Sequence, residues 1–245
     1  MSEIIKTIAE LQQKKIIHVV RYRKNERTGL DIPVYSLSAA GKHVRLDVHS
    51  LLTGVTSERL VEYDFLARNL MSSRRSVAIL DVGSAGSALA QAMREFGSSR
   101  WQVLGIDLVQ GCDAMMDSRS AGFRDGAFDQ VISISTIEHI GFDRGVSDKS
   151  GDAKAMKEIF RMLKKGGTAI ITVPYGKRKK LKHRVYDRET LAKLVDRFSV
   201  SRKEFYRYDA GKWVKCSQAD AGRADPQVPL HFHSAACACL LLKKK

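Results

Sequence analysis

The chain has 245 residues, 44% of them hydrophobic, and its 42 Lys and Arg against 27 Asp and Glu give a formal net charge of +15. This composition excludes an intrinsically disordered chain and indicates one sizeable core. The longest uninterrupted apolar run, residues 235–242, is shorter than the roughly 20 residues that span a bilayer, and the first residues lack a signal peptide's apolar core. We therefore expect a cytoplasmic protein without a transmembrane segment, in which the four cysteines stay reduced.

The first 56 residues predict a small appendage. Isoleucines and a leucine recur at helical spacing in residues 3–12, which indicates a short amphipathic helix. Three β-rich runs follow, separated by turn-forming residues, at 16–23, 31–38 and 44–50. We predict that residues 1–56 form a helix with a β-rich appendage, and that residues 57–245 form the main domain.

Helix and strand patterns alternate from residue 57 onward, as a doubly wound α/β sheet requires. The periodicity predicts helices near 58–71, 87–97, 153–164 and 188–197. Gly166 and Gly167 are expected to end the third helix, and Asp187 is the expected N-cap of the fourth. The fold class predicted for this domain is therefore α/β with a mostly parallel sheet.

Two apolar strands of this domain end in a carboxylate. The first runs through Asp81 into a turn of small residues at Gly83, where the lack of a Cβ lets the backbone approach a ligand closely. The second ends at Asp107, 24 positions after Gly83, where a carboxylate can accept the hydroxyl protons of a ribose. Such a turn also occurs simply to pack a helix on a sheet, but the pair of strand ends favours a nucleoside cofactor.

Two further segments extend this pattern: Phe-Asp-Gln-Val-Ile-Ser-Ile-Ser-Thr-Ile-Glu-His-Ile at 128–140 and Leu-Lys-Lys-Gly-Gly-Thr-Ala-Ile-Ile-Thr-Val-Pro at 163–174. With the two strand ends, this series resembles the class I S-adenosylmethionine-dependent methyltransferases, most closely the small prokaryotic enzymes of type 11. The resemblance covers roughly residues 57–245 and implies a Rossmann-like doubly wound sheet with S-adenosylmethionine as cofactor. The first turn departs from the family's Gly-x-Gly-x-Gly at Ala85 and Ser87, which are also small.

A nicotinamide dinucleotide is the alternative cofactor. Its fingerprint requires glycines at three places, where this chain has Gly83, Ala85 and Ala88. That alternative leaves the Glu-His and Gly-Gly segments without an explanation.

The resemblance to the methyltransferases also implies which residues hold the cofactor. Asp113 is close enough in sequence to Asp117 to compete for the adenine contact. Eight residues are expected to bind: Asp81, Gly83 and Ser84 around the methionine portion, Asp107 and Leu108 at the ribose, Met116 and Asp117 at the adenine, and Ser135 from the domain's fourth strand.

The implied reaction is an in-line methyl transfer, whose rate comes mostly from holding donor and acceptor aligned. A base is needed only for a hydroxyl or a protonated amine, and the candidates near the expected pocket mouth are His139 and His183, with Tyr175 and Tyr186 beside them. No Asn/Asp-Pro-Pro-Tyr or Pro-Cys signature of nucleobase methylation follows the fourth strand. We expect the acceptor to be a hydroxyl of a small molecule or saccharide.

A basic run gives the second hypothesis. Six of the eight residues from Lys177 to Arg184 are Lys or Arg, and such a run can seat RNA or another polyanion, although it is also typical of a solvated loop. An RNA methyltransferase and a non-catalytic cofactor-binding partner protein are therefore the alternatives to a small-molecule enzyme.

Four potential metal ligands occur near the C-terminus: His231, His233, Cys237 and Cys239. Ligands spaced along one extended strand share a face and cannot close a tetrahedron. We therefore predict no metal site.

Overall fold

The computed structural model describes residues 17–24, 31–39, 42–46, 58–85, 89–96, 98–142, 147–177, 183–209, 212–224 and 235–245. The first three of these ranges form an antiparallel sheet with the strand order β1 (Ile17–Lys24), β2 (Asp31–Ala39) and β3 (Lys42–Leu46). Strands therefore occur where the β-rich runs predict them. The amphipathic helix expected over residues 3–12 lies outside the described residues, and the domain boundary at residue 57 stays a prediction.

The main domain consists of one eight-stranded sheet with helices between its strands, so the predicted α/β class is confirmed. Its elements in chain order are α1 (Arg59–Asn69), β4 (Val77–Val82), α2 (Leu89–Phe96), β5 (Trp101–Asp107), β6 (Ala114–Met115), β7 (Phe128–Ile134), α3 (Gly151–Met162), β8 (Leu163–Tyr175), α4 (Arg188–Leu194), β9 (Ser199–Asp209), β10 (Lys212–Cys216), α5 (Gln218–Arg223) and β11 (Ala236–Lys243).

The strand order of this sheet is β10-β9-β11-β8-β7-β4-β5-β6. The pairs from β8 to β6 are parallel, and β11, β9 and β10 add an antiparallel side. From β4 the chain first adds β5 on one flank and later β7 on the other. The order therefore reverses at β4, and in open α/β sheets ligands bind beyond the carboxyl ends of the strands at such a point.

Side chains pack on both faces of the sheet. Consecutive strand residues point to opposite faces, so Leu80 belongs to one buried cluster and Ile79 to the other. Burial on both faces explains why the central strands are almost entirely apolar.

The sequence predicts where α4 begins and where α3 ends, and the two predictions have different outcomes. Asp187 is the N-cap of α4: its carboxylate accepts the Thr190 N–H at 2.9 Å, and the Thr190 hydroxyl accepts the Asp187 N–H at 3.0 Å. The expectation that Gly166 and Gly167 end α3 is wrong, because α3 ends at Met162 and both glycines lie within β8. Backbone hydrogen bonds between Lys244 and both glycines join this segment to the sheet.

The strand near the C-terminus lies inside the sheet. β11 inserts between β8 and β9 and pairs with both, so Cys237 and Cys239 are buried within the sheet. His231 and His233 lie outside the described residues. Within the described ranges no three His, Cys, Asp or Glu side chains are grouped so as to hold a metal ion, and no helix combines the length and apolarity that a membrane span requires.

Candidate functional site

A cleft opens beyond the carboxyl ends of β4, β5 and β7. The strand ends and the loops that follow them supply its lining: Val82, Gly83, Ile106, Asp107, Leu108, Met116, Ser118, Arg119, Thr136, His139, Ile140 and Gly141. Of the eight residues expected to bind the cofactor, Gly83, Asp107, Leu108 and Met116 line this cleft.

Gly83 shapes the floor of the cleft. Its φ of +86° lies in the left-handed region, and a Cβ at this position would collide with the side chain of Thr136. The Gly83 N–H donates to the Ile106 carbonyl at 2.9 Å, which ties the turn to β5. Only glycine meets both requirements, since other residues are strained at this φ.

Asp107 closes the other side of the same turn. Its Oδ2 accepts the Ala85 N–H at 3.1 Å, and the residue also lines the cleft. Leu108, beside it, is 46% exposed and presents an apolar surface at the cleft edge. A glycine turn, a carboxylate at the next strand end and an apolar edge fit a nucleoside cofactor.

Two substitutions of Asp107 separate the effect of its charge from the effect of its hydrogen bond to the turn. We expect Asp107→Ala to weaken binding of S-adenosylmethionine by about ten- to a hundredfold, because charge-assisted hydrogen bonds contribute roughly 1.5–3 kcal/mol. Asp107→Asn keeps an oxygen for the Ala85 N–H and should recover only the part of the loss that is due to loop order. Isothermal titration calorimetry measures both; wild-type affinity in the folded alanine variant would place the cofactor elsewhere.

Asp81 lies beneath the turn rather than in the cleft lining. It is 2% exposed, and its Oδ2 has no hydrogen-bond partner. Burial raises the pKa of Asp81 to about 7, and the neighbouring Asp107 and Asp113 add to this rise, whereas the Ala90 N–H and Arg94 oppose it. A buried, unpartnered oxygen below the cleft fits a cationic ligand group, such as the ammonium of the cofactor's methionine portion.

The raised pKa of Asp81 makes stability depend on pH. The folded protein holds the proton of the Asp81 carboxyl group more tightly than the unfolded chain does. The contribution of this group to the free energy of unfolding is therefore present below about pH 4 and is lost as the pH rises through about 7. The shift from 3.8 to about 7 corresponds to about 4 kcal/mol. Asp81→Asn should remove this loss of stability with rising pH, because the amide does not titrate. Urea unfolding of both proteins at pH 5 and pH 8 checks it, and an identical pH dependence would contradict it.

Two serines expected at the cofactor are turned away from the cleft. The Ser84 side chain packs against Gly105, where an added Cβ would sit 2.6 Å from Ser84 Oγ. Ser135 has a φ of +42°, and its hydroxyl donates to Glu62 Oε1 at 2.5 Å. Neither residue lines the cleft: Ser84 lies against Gly105 of β5, and the Ser135 hydroxyl is bonded to Glu62 of α1.

The residues expected at the adenine are also arranged differently from the expectation. Arg119 holds the carboxylate of Asp117, with Nη2 2.7 Å from Oδ2, and it is Arg119 that lines the cleft. This ion pair lowers the pKa of Asp117. Asp113, the competing residue, pairs with Arg94 at 2.6 Å and accepts the Gly105 N–H. Nothing in the sequence pattern indicated Arg119, apart from its position two residues after Asp117.

Of the expected base residues, only His139 lines the cleft. His139 lines it with a side chain that is 27% exposed, and the His183 ring lies 5.4 Å away between centroids. Tyr175 is buried, and the Tyr186 hydroxyl donates to Asp152 at 3.0 Å. Burial and Asp152 raise the pKa of Tyr186, so the two histidines are the better candidates.

Carboxylates that the sequence did not single out adjoin these histidines. Glu138 and Glu62 are fully buried, and Glu58 is nearly so. Burial raises the pKa of Glu138 well above its usual range; Glu62 and Glu58 add to the rise, and Arg59 opposes it. The Glu-His pair at 138–139 was the available signal, but the sequence does not place α1 beside it.

The basic run is only partly described, since residues 178–182 lie outside the described ranges. Lys177 is exposed. Arg184 is engaged within the fold: it donates to the carbonyls of Ile140 at 2.7 Å and Lys149 at 3.1 Å, and pairs with Asp152 at 3.1 Å. Arg184 therefore stabilises the loop that carries His139. Because its guanidinium is already bound within the fold, it is a poor candidate for a polyanion contact.

Comparison of the sequence with protein families gives one matching domain. Residues 80–171 match a type 11 family model described as a methyltransferase domain. Among curated proteins, the human protein named "Probable tRNA methyltransferase 9B" is 28% identical over 137 residues, which are 56% of this chain. The chain spans about a quarter of the length of that relative, 27%.

Solved structures share the fold. A Bacillus halodurans protein described as a methyltransferase superposes with a TM-score of 0.51 at 12% identity, covering 75% of this chain and 98% of the other. A chain from the Haloferax volcanii complex between the Trm112 methyltransferase activator and a methyltransferase gives a TM-score of 0.51 at 13% identity, covering 77% and 92%.

Proposed function

Since this chain carries a class I S-adenosylmethionine-dependent methyltransferase domain of type 11, we propose that it methylates a hydroxyl group, the acceptor being a small molecule or a saccharide. The observation that carries this proposal is His139, which lines the cleft and has His183 against its ring. A base is useful only when the acceptor must lose a proton, and a hydroxyl must.

The residues of the cleft have different roles in this proposal. The cofactor, when bound, would supply an electrophilic methyl group on a sulfonium sulfur. Gly83 would let the backbone approach it, Asp107 and Leu108 would hold its ribose and Met116 its adenine, and His139 lines the same cleft. Holding the acceptor oxygen in line with the methyl group supplies most of the rate.

RNA is the second candidate acceptor. It is favoured by the name of the human relative, by the net charge of +15 and by the basic run that begins at Lys177. An activator protein of the Trm112 kind, as in the Haloferax complex, is a candidate partner under this alternative. Against RNA, Arg184 is already bound within the fold.

Incubation with cofactor labelled at its methyl group and a fractionated cell extract tests the acceptor class. We expect label in small molecules or glycans, with a loss of transfer in His139→Ala. Label in RNA would replace the hydroxyl proposal by the RNA alternative. Cofactor binding without transfer to any fraction would support a non-catalytic partner protein instead.

A salt titration separates RNA from the other acceptors. We predict weak RNA binding whose salt dependence is hardly altered in the fourfold variant Lys177→Ala, Arg178→Ala, Lys179→Ala and Lys180→Ala. Were these side chains phosphate contacts, each loss would flatten the slope of log affinity against log salt by about 0.7–0.9. The matched control removes the same charge at four exposed positions: Arg74, Arg75, Arg202 and Lys203. Tight binding lost only in the first variant would favour RNA.

A further inference from the structure

Glu138 is a buried carboxylate next to His139 of the cleft lining. Its side chain is fully buried, and neither carboxylate oxygen has a hydrogen-bond partner. Burying a polar group without a hydrogen bond is unfavourable, because the group loses its hydrogen bonds to water. A residue that breaks this rule at the edge of a cleft indicates a functional requirement.

His139 is the cleft residue that Glu138 faces. Its Nε2 lies 3.9 Å from Glu138 Oε1, which is an ion-pair distance when the imidazole is protonated. The His139 ring reaches the cleft, whereas Glu138 does not. In this pair, Glu138 is the buried partner and His139 is the partner that lines the cleft.

Other charged groups around Glu138 come from α1 and from the segment before α4. Glu62 and Glu58 disfavour a negative charge on Glu138, Arg59 favours it, and Tyr186 faces it as well. Glu62 itself accepts hydrogen bonds from Arg59 at 2.6 Å and from Ser135 at 2.5 Å. Together with Arg59, a protonated His139 at 3.9 Å favours a negative charge on Glu138.

We infer that Glu138 is a positioning residue, which orients His139 and stabilises the imidazolium that forms when His139 takes the proton of the acceptor. This inference rests on the proposed function. In the step, His139 takes the hydroxyl proton as the acceptor oxygen bonds to the methyl carbon, and the electron pair of the broken carbon–sulfur bond stays on sulfur. A buried carboxylate stabilises an imidazolium in the same way in the Ser-His-Asp triad. The proton then passes from His139 to water.

Two variants of Glu138 test this role. Glu138→Gln keeps the shape but cannot ionise beside a protonated His139, and we expect the midpoint of the His139 NMR titration to fall by about one pH unit. Turnover should fall about ten- to a hundredfold, with cofactor affinity within about twofold of wild type. Glu138→Met replaces the unpartnered carboxylate by an apolar chain of similar length, so its melting temperature at pH 8 should equal or exceed that of wild type.

Glu62→Gln is the matched control. It also removes a fully buried carboxylate from this cluster, but one that is hydrogen-bonded and lies farther along the chain from His139. We expect it to lower the melting temperature and to move the His139 midpoint less than Glu138→Gln does.

An unchanged His139 midpoint in Glu138→Gln would overturn the inference, and so would a melting temperature of Glu138→Met more than about 3 °C below wild type, roughly a 1 kcal/mol loss. Both measurements need no acceptor. If the midpoint shifts while no methyl transfer occurs to any acceptor, the proposed function fails and the pairing of Glu138 with His139 is upheld.

Discussion

Gly83→Ala is expected to reduce the affinity for S-adenosylmethionine at least about a hundredfold, which is about 2.7 kcal/mol or more. The added Cβ collides with Thr136, and the φ of +86° costs a non-glycine residue roughly 1–2 kcal/mol. The turn must shift to relieve both, and it carries the backbone that faces the cofactor. Isothermal titration calorimetry on the folded variant measures the loss.

Two companion variants separate the causes. In Gly83→Ala with Thr136→Gly the collision is gone and the φ strain remains, so affinity should recover in part. Gly126 also has a positive φ, +63°, but lies before β7, at the opposite edge of the sheet, and an added Cβ there comes no closer than 3.8 Å to another atom. Gly126→Ala should therefore cost stability without changing cofactor affinity. Wild-type affinity in Gly83→Ala would exclude this cleft as the cofactor site.

His139→Ala is expected to lower turnover on the proposed hydroxyl acceptor by about a hundredfold or more, while cofactor affinity stays within a few fold. The reason is its place in the lining of the cleft in which we propose that the acceptor binds. Single-turnover kinetics with labelled cofactor measure the chemical step without interference from product release.

His183→Ala provides the comparison. His183 packs against the His139 ring but does not line the cleft, so its loss should reduce turnover less than the loss of His139. The sequence left the order of the two histidines open, and the cleft geometry now favours His139. Near-normal turnover in both single variants would mean that catalysis proceeds by positioning alone.

The sequence by itself determined the features that depend on near neighbours in the chain. The turn at Gly83, the strand end at Asp107 and the N-cap at Asp187 were all predicted correctly, because each is specified by residue type over a few positions. The alternation of helices and strands likewise predicted the parallel part of the sheet and hence the edge at which the cleft opens.

Only the tertiary structure decided where side chains at those strand ends point. Ser135 bonds to Glu62, 73 positions away, instead of facing the cleft. β11 inserts between β8 and β9 and so is buried on both sides. These contacts join segments that are distant in the chain, and no local pattern encodes them. The charge around Glu138 is decided in the same way, because Glu62 and Arg59 of α1, distant in the chain, act on its carboxylate.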